Sequence, residues 1–343
     1  MMTLNKLKGI SIAVVLFVCL ACNTQTKQNI ASGNTSLKLV KTIDDLPLTM
    51  PLSITFTDSL EIVTGDIFSY RKLNSDEEWQ ISPADSTGTH AIAWKKDEAG
   101  KSIYYAVGTN KHQLLKFSSI AEKPEVIGQE TIPELFRPHD ILYNSADDYF
   151  YFINSDYTSD NKFLFRFKSF ETGFEKLDLS SLFYRKEYAY ARALSLVDGK
   201  IYIVVSSYGE VIRLNDFSNG AFTSYRRSAS RESACAGSYT TTGLVLNDLE
   251  YYNGYWYATN YFSSAYAEGT NYNEYRFIRW KSWDDFTNNR FEDLSDLIDN
   301  NMVPYFLTIK NDCLYLAAFT DEGVSEKEGR VYVFQQKDKV WYN

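Results

Sequence analysis

The sequence lacks the residues that most enzyme motifs and disulfide scaffolds require. Its 343 residues include only 4 cysteines and 3 histidines, and no Cys-x-x-Cys pair is present. A glycine-rich phosphate loop, a Gly-x-Ser-x-Gly nucleophile turn and a His-Glu-x-x-His zinc helix are also missing. The commonest nucleotide-binding, serine-hydrolase and zinc-protease motifs are therefore excluded.

Acidic residues outnumber basic ones, with 44 Asp and Glu against 35 Lys and Arg. The formal net charge is −9, and no basic tail is present. Nucleic-acid affinity comes mainly from lysine and arginine contacts to phosphates, so we expect no nucleic-acid partner. We also expect a monomer.

The N-terminus carries a targeting pattern. Lys6 and Lys8 precede an apolar run over residues 10–20, which is short for a membrane span and typical of a secretory signal. The run ends at Ala21-Cys22, and a small residue before cysteine resembles the bacterial lipoprotein signal. We therefore predict a signal peptide over residues 1–21, lipidation at Cys22 and a flexible polar tether over residues 22–37. An ordinary signal peptide or an uncleaved anchor is the alternative.

The targeting signal predicts a protein of the bacterial cell envelope that is anchored by lipid to a membrane and is either periplasmic or surface-exposed. Such a compartment permits disulfides. The two remaining cysteines, Cys235 and Cys313, could pair there, but their spacing does not decide it.

Six segments of the chain align in one register. Their third residue is always Ile or Leu, and their fifth is always large and apolar. The six segments are Leu52–Phe56, His90–Trp94, His139–Tyr143, Arg192–Leu196, Asn247–Tyr251 and Tyr305–Ile309. Each is followed by a turn signal and by further strand-like segments, and the unit recurs about every 40–60 residues, the length of a propeller blade.

This repeat predicts an all-β fold. We expect a six-bladed β-propeller of four-stranded antiparallel blades over residues 38–343, with a β-sandwich as the alternative. Residues 37–43 precede the first blade and could complete the last one, which would close the ring and remove a free sheet edge.

The polar exceptions in this register fall at the first and second positions of the inner strands. Because these positions lie near one mouth of the central channel, we expect their side chains to converge. The predicted ligand-binding residues there are His90, Arg192 and Tyr305. Loops above the same mouth supply Arg226, Arg231, Tyr261 and Tyr266, since aromatic faces suit sugar rings and arginines suit carboxylates or sulfates. The alternative is that the tyrosine-rich loops only pack on the blades.

Two blades share a further pattern of hard oxygen donors. One combines His139 and Asp140 with Asn154, and the other combines Asn247 and Asp248 with Asn260. Asp and Asn oxygens are ligands that Ca²⁺ takes, so Asp140, Asn154, Asn247, Asp248 and Asn260 are candidate metal ligands. The alternative is that they bond backbone groups at the strand starts. His139 beside Asp140 is a candidate catalytic pair, with His139 as general base or as a structural group.

The same two blades resemble a known family. Residues 136–141, read Phe-Arg-Pro-His-Asp-Ile, and residues 246–249, read Leu-Asn-Asp-Leu and followed by Tyr-Ala-Thr-Asn at 257–260, resemble blades of paraoxonase and gluconolactonase-like propellers. That family consists of six-bladed, calcium-dependent lactonases or esterases. The resemblance implies that Asn247 and Asp248 touch calcium and that His139 lies beside the reacting water.

Two functions follow from these features. The first is a non-catalytic envelope lipoprotein whose channel mouth binds a small molecule, a glycan or a partner protein. The second is a calcium-dependent hydrolase or a lyase that uses His139 with Asp140, Asn247 and Asp248. The sequence favours the first, because the calcium ligand set is incomplete.

Overall fold

The computed structural model describes residues 36–84, 88–154, 161–184, 189–206, 209–226, 246–260, 277–320 and 325–336. The chain divides into a unit of residues 1–31 and a unit of residues 32–343, and every described strand belongs to the second. The predicted signal peptide, Cys22 and most of the tether lie outside the described ranges. Within those ranges, no helix is both long and apolar enough to cross a membrane.

The described strands form six antiparallel sheets of four strands each, as the sequence repeat predicts. The first blade contains β2 (Ser53–Phe56), β3 (Leu60–Thr64), β4 (Ser69–Lys72) and β5 (Gln80–Ile81). The second contains β6 (Ile92–Lys96), β7 (Ser102–Gly108), β8 (Gln113–Phe117) and β9 (Glu125–Ile127). The third contains β10 (Pro138–Asn144), β11 (Tyr149–Asn154), β12 (Phe163–Phe167) and β13 (Glu175–Asp178).

The second half of the ring repeats this order. The fourth blade contains β14 (Ala191–Val197), β15 (Lys200–Val205), β16 (Glu210–Asp216) and β17 (Ala221–Arg226). The fifth contains β18 (Leu246–Tyr252), β19 (Tyr255–Asn260), β20 (Phe277–Trp280) and β21 (Glu292–Asp293). The sixth contains β22 (Met302–Lys310), β23 (Cys313–Thr320) and β24 (Gly329–Gln336), with β1 (Leu37–Ile43) as its outer strand.

The N-terminal strand closes the ring, as predicted. Strand β1 pairs antiparallel with β24, from Leu37 opposite Gln336 to Ile43 opposite Val331. Leu37 and Ile43 are buried at the two ends of β1, whereas Leu39 is exposed. The two chain ends of the propeller are therefore held in one sheet.

The apolar third position of each inner strand explains how the blades pack. All six of these residues are buried, namely Ile54, Ile92, Ile141, Leu194, Leu249 and Leu307. Leu194, for example, packs with Ile153 and Leu164 of the preceding blade. The spacing that the six segments share therefore reflects the apolar core between neighbouring sheets.

The helical content is small. A single-turn helix α1 (Trp283–Thr287) begins at a capping box formed by Ser282 and Asp285. Trp283 stacks on Tyr225 of the fourth blade with ring centroids 4.1 Å apart, so α1 fastens the fifth blade to the fourth. Three 3-10 turns complete the described helical segments, at Thr109–Lys111, Phe170–Thr172 and Ser295–Leu297.

Candidate functional site

A β-bulge stands at the polar start of four inner strands. In β10, Pro138 pairs with Asn154 and Asp140 pairs with Ile153, so His139 is an extra residue with no partner of its own. The same irregularity leaves Arg192 extra in β14 and Asn247 extra in β18. In β22 it falls between Pro304 and Leu307, at Tyr305 and Phe306. Bulges redirect side chains, often beside functional sites, and here they fall at the predicted site positions.

Three of the predicted residues are joined by hydrogen bonds across the channel mouth. The Arg192 guanidinium of the fourth blade donates from Nη2 to the Tyr305 hydroxyl of the sixth blade over 2.7 Å. The same hydroxyl lies 2.7 Å from Nδ1 of His90, which precedes the inner strand of the second blade. The predicted convergence of His90, Arg192 and Tyr305 is therefore present in the structure.

The chemistry of these groups fixes the direction of one of the two bonds. A guanidinium can only donate, so the Tyr305 oxygen accepts from Arg192. The bond between this oxygen and Nδ1 of His90 can run in either direction, depending on the tautomer of His90.

His139 completes the cluster. Its ring lies on that of His90 with centroids 3.8 Å apart, and one ring nitrogen bonds the main chain of Arg192. Nδ1 of His139 is buried and has no hydrogen-bond partner among the described residues. We use the term mouth cluster for His90, His139, Arg192 and Tyr305. Three of them are at most 6% exposed, and only His90 is partly open.

Electrostatics keep both imidazoles uncharged. Burial and the positive charges of Arg192 and Arg137 hold the pKa of His90 well below its usual range. Burial, His90 and Arg192 do the same to the pKa of His139. The mouth cluster therefore combines one fixed positive charge with neutral donors and acceptors at physiological pH.

Below the mouth, the second and fourth positions of the inner strands reach the following blade. Asp140 accepts from the main-chain N–H of Leu194 over 2.6 Å, and Asp248 accepts from that of Leu307 over 2.6 Å. Thr55 donates to the carbonyl of Ile92 over 3.2 Å in the same way. These side chains thus fasten one inner strand to the next.

The buried carboxyl groups hold their protons unusually well. Burial raises the pKa of Asp140 to about 7, and it raises that of Asp248 well above the usual range. Burial and the nearby Asp140 raise the pKa of Glu250 to about 8. Carboxyl groups that share one channel cannot all be ionised cheaply near neutral pH.

This shift predicts a pH-dependent contribution of Asp140 to stability. A raised pKa means that the folded protein binds the proton more tightly, so the stabilisation is complete below pH 3.8 and is lost as the pH rises through about 7. Asparagine at position 140 cannot titrate. We expect the unfolding free energy of the wild type, relative to Asp140→Asn, to fall by about 1.4 kcal/mol between pH 6 and pH 8.

Denaturant unfolding of both proteins at pH 6, 7 and 8 measures this difference. Both proteins carry the same histidines, so the effect of histidine titration on stability cancels when the two are compared. Asp148→Asn is the control, because Lys95 lowers the pKa of Asp148 and that group stays ionised over this range. A wild-type advantage over Asp140→Asn that is constant with pH would refute the assignment.

The structure places the predicted metal ligands in backbone hydrogen bonds. Asp140 uses its second oxygen for the N–H of Ile141. Asn154 donates to the carbonyl of Glu134 and accepts from the N–H of Phe136, so it pins the loop before its own blade. No group of three or more His, Cys, Asp or Glu side chains in the described ranges is arranged to hold a metal.

The two remaining amide candidates differ from each other. Asn247 donates to the carbonyl of Tyr305 over 2.8 Å, and its Oδ1 is buried without a partner among the described residues. Asn260 is buried at the end of β19. The geometry favours the structural role that the sequence left as the alternative, and calcium binding stays a prediction.

A set of hydroxyl groups that was not predicted from the sequence positions the mouth cluster. They stand at the ends of second strands and bond the carbonyl at the start of the next inner strand. Thr109 donates to Pro138 over 2.6 Å, Thr259 donates to Tyr305 over 2.5 Å, and Ser206 donates to Leu246. The signal was visible, because a Thr or Ser also ends or follows most of these strands in the aligned sequence.

The remaining site predictions divide into two groups. Arg226 lies at the end of β17, where its guanidinium is 3.7 Å from the buried Glu210 and stacks 4.3 Å over Tyr184. Arg231, Tyr261 and Tyr266 lie outside the described residues, as does Cys235. Cys313 is a free cysteine.

Comparison with known proteins supports the fold. No protein-family model and no curated protein matches the chain. A luciferin-regenerating enzyme is similar in structure, with a TM-score of 0.55, 11% identity and coverage of 87% of this chain and 94% of that one. Hydrazine synthase of Kuenenia stuttgartiensis gives a TM-score of 0.50, 13% identity and coverage of 81% and 78%. At these identities only the fold is shared, so the six-bladed propeller is confirmed and the paraoxonase-type relationship stays a prediction.

Proposed function

We propose that this chain is an envelope-anchored binding lipoprotein whose channel mouth holds an acidic small molecule or glycan, with a uronic acid as the simplest example. The propeller fold itself suits a binding or scaffold role. The envelope part of the proposal depends on the pattern that ends at Ala21-Cys22. The ligand part depends on the mouth cluster.

The observation that carries the proposal is the convergence of four polar side chains from four blades. A hydrogen-bonded chain runs from Arg192 through Tyr305 to His90, and the ring of His139 packs against that of His90 at a tilt of 46°. Such polar clusters are costly to bury, and a folded protein keeps them mostly where they serve a purpose. A packed apolar plug would close the channel with greater stability.

The charge of the cluster favours an anion. Arg192 is permanently positive, and both imidazoles are neutral because burial and Arg192 oppose their protonation. Asp140, the carboxyl group next to His139 in sequence, is engaged by main-chain N–H groups of Ile141 and Leu194. A ligand carboxylate therefore meets a guanidinium at the mouth, the pair that gives the strongest polar recognition.

The neutral groups favour a ligand that also carries hydroxyl groups. Nδ1 of His139 and Oδ1 of Asn247 are buried acceptors without partners among the described residues. A buried acceptor left unsatisfied costs about 1–3 kcal/mol, which a ligand hydroxyl or a water molecule would recover. A carboxylate together with hydroxyl donors describes a sugar acid.

The same geometry supports binding better than hydrolysis. A general base works best when its pKa is close to the working pH, and the pKa of His139 is held well below its usual range. The calcium-dependent reaction would also need free ligand oxygens, but Asp140 and Asn154 already accept from the main-chain N–H groups of Leu194 and Phe136. Hydrolase and lyase activities therefore stay the alternative prediction.

Calorimetric titration of the purified protein tests the proposal. We expect saturable heat with D-glucuronate and none at equal concentrations of D-glucose, because only the former brings a carboxylate to Arg192. Equal responses to both sugars, or no response to any member of a uronate panel, would contradict an acid-specific mouth. Repeating the titration with calcium and with a chelator tests the calcium-dependent hydrolase, because only that alternative requires calcium.

A further inference from the structure

The Tyr305 hydroxyl occupies the position from which a ligand would contact Arg192. Its side chain starts on the sixth blade and reaches groups of the second and fourth blades, so it spans the channel mouth. It is only 1% exposed. The guanidinium thus already has an oxygen acceptor, and this acceptor belongs to the protein.

We propose that the Tyr305 hydroxyl is a built-in substitute for the ligand carboxylate, which holds Arg192 until an acidic ligand displaces it. This inference rests on the proposed function and deepens it, because it makes Tyr305 a specificity-determining residue. The bond between Tyr305 and Arg192 must be broken before a ligand binds, so it sets an energetic threshold: a ligand must form contacts with Arg192 that are stronger than this bond.

The main chain of Tyr305 is fixed, so displacement is confined to the side chain. Its carbonyl accepts from Nδ2 of Asn247 over 2.8 Å and from the hydroxyl of Thr259 over 2.5 Å. Phe306 and Phe319 flank the ring with centroids 5.2 Å and 5.5 Å away. A displacement of the hydroxyl therefore requires a change of the Tyr305 side-chain torsions and leaves its strand in place.

The threshold separates acidic from neutral ligands. A ligand carboxylate is charged and can accept two parallel hydrogen bonds from a guanidinium, whereas the phenol oxygen is neutral and accepts one from Arg192. A ligand carboxylate therefore gains by replacing the phenol. A neutral sugar would exchange one hydroxyl for another at Arg192 and gain nothing, while the bond between Tyr305 and His90 would be lost.

Removal of the phenol oxygen should tighten the binding of acids. In Tyr305→Phe, a ligand does not have to break the bond between Arg192 and the phenol, so we expect the dissociation constant for D-glucuronate to fall about tenfold, the equivalent of one hydrogen bond to a charged group. Calorimetry of the full chain measures this change. Tyr332→Phe is the control, because it removes a hydroxyl of the same blade that bonds Asp299, and we expect it to leave the dissociation constant unchanged.

The possible outcomes separate this inference from the proposed function. If the wild type binds no member of the uronate panel, the proposed function itself fails, and the substitute role fails with it. If the wild type binds and Tyr305→Phe binds equally or more weakly, only the substitute role is overturned.

A second measurement covers the case in which Tyr305→Phe does not fold. With 3-fluorotyrosine introduced at position 305, the ¹⁹F resonance should shift in step with D-glucuronate saturation. Binding heat with an unmoved resonance would overturn the inference.

Discussion

Replacement of Leu37 by alanine is expected to lower the free energy of unfolding by about 2–4 kcal/mol. Leu37 is fully buried in the core between the fifth and sixth blades, where it packs with a cluster that includes Leu314 and Phe334. It lies in β1, the strand that closes the ring. The loss should therefore report on the closure of the whole propeller.

Leu39→Ala is the matched control. Leu39 stands on the same strand but is 43% exposed, so its truncation should change stability by less than about 1 kcal/mol. Denaturant unfolding monitored by tryptophan fluorescence measures both variants. Equal stability losses for the two substitutions would mean that β1 does not lie in the register described.

Replacement of Arg192 by glutamine is expected to weaken D-glucuronate binding by about 10- to 100-fold, the range for a lost hydrogen bond to a charged group. Glutamine removes the positive charge and is shorter than arginine, so the bond from Nη2 to the Tyr305 hydroxyl is lost together with the charge. Calorimetric titration of the variant at neutral pH measures the loss. Unfolding curves show whether the fold survives.

Arg226→Gln distinguishes the two arginines that the sequence predicts as ligand-binding. Because the Arg226 guanidinium lies between Glu210 and Tyr184, we expect its replacement to change the dissociation constant less than twofold. The reverse result, a large loss with Arg226→Gln and none with Arg192→Gln, would mean that the ligand binds beside Arg226 and not at the channel mouth.

The fold could be predicted because the same pattern of apolar residues recurs in six segments of the sequence. Six inner segments share an apolar third residue, and each of these residues packs against the preceding blade. A side chain that fills the same core position in every blade recurs at the same place in every repeat. The pairing of β1 with the last blade could be predicted because the outer edge of that blade would otherwise be unpaired.

The convergence of the mouth-cluster side chains could be predicted from the sequence, but their hydrogen bonds could not. Alignment brought His90, His139, Arg192 and Tyr305 to one mouth, which the structure shows. It could not show that Tyr305 bonds both His90 and Arg192, because those contacts join residues 215 and 113 positions apart. The extra residue of each bulge was also hidden, since a bulge is defined by its partner strand.

The metal prediction shows the same limit. Asp140 and Asp248 have the residue type and position of calcium ligands, but their oxygens accept from Leu194 and Leu307 of the following blades. A carboxylate that fastens two strands and one that binds a cation read identically in a single sequence. Only the register between neighbouring blades separates the two roles.

A crystal structure of the protein soaked with D-glucuronate would locate the bound ligand. We expect a carboxylate within hydrogen-bond distance of the Arg192 guanidinium, with the Tyr305 ring turned away from His90. A sugar bound elsewhere, with the bonds among Arg192, Tyr305 and His90 unchanged, would contradict the proposed site.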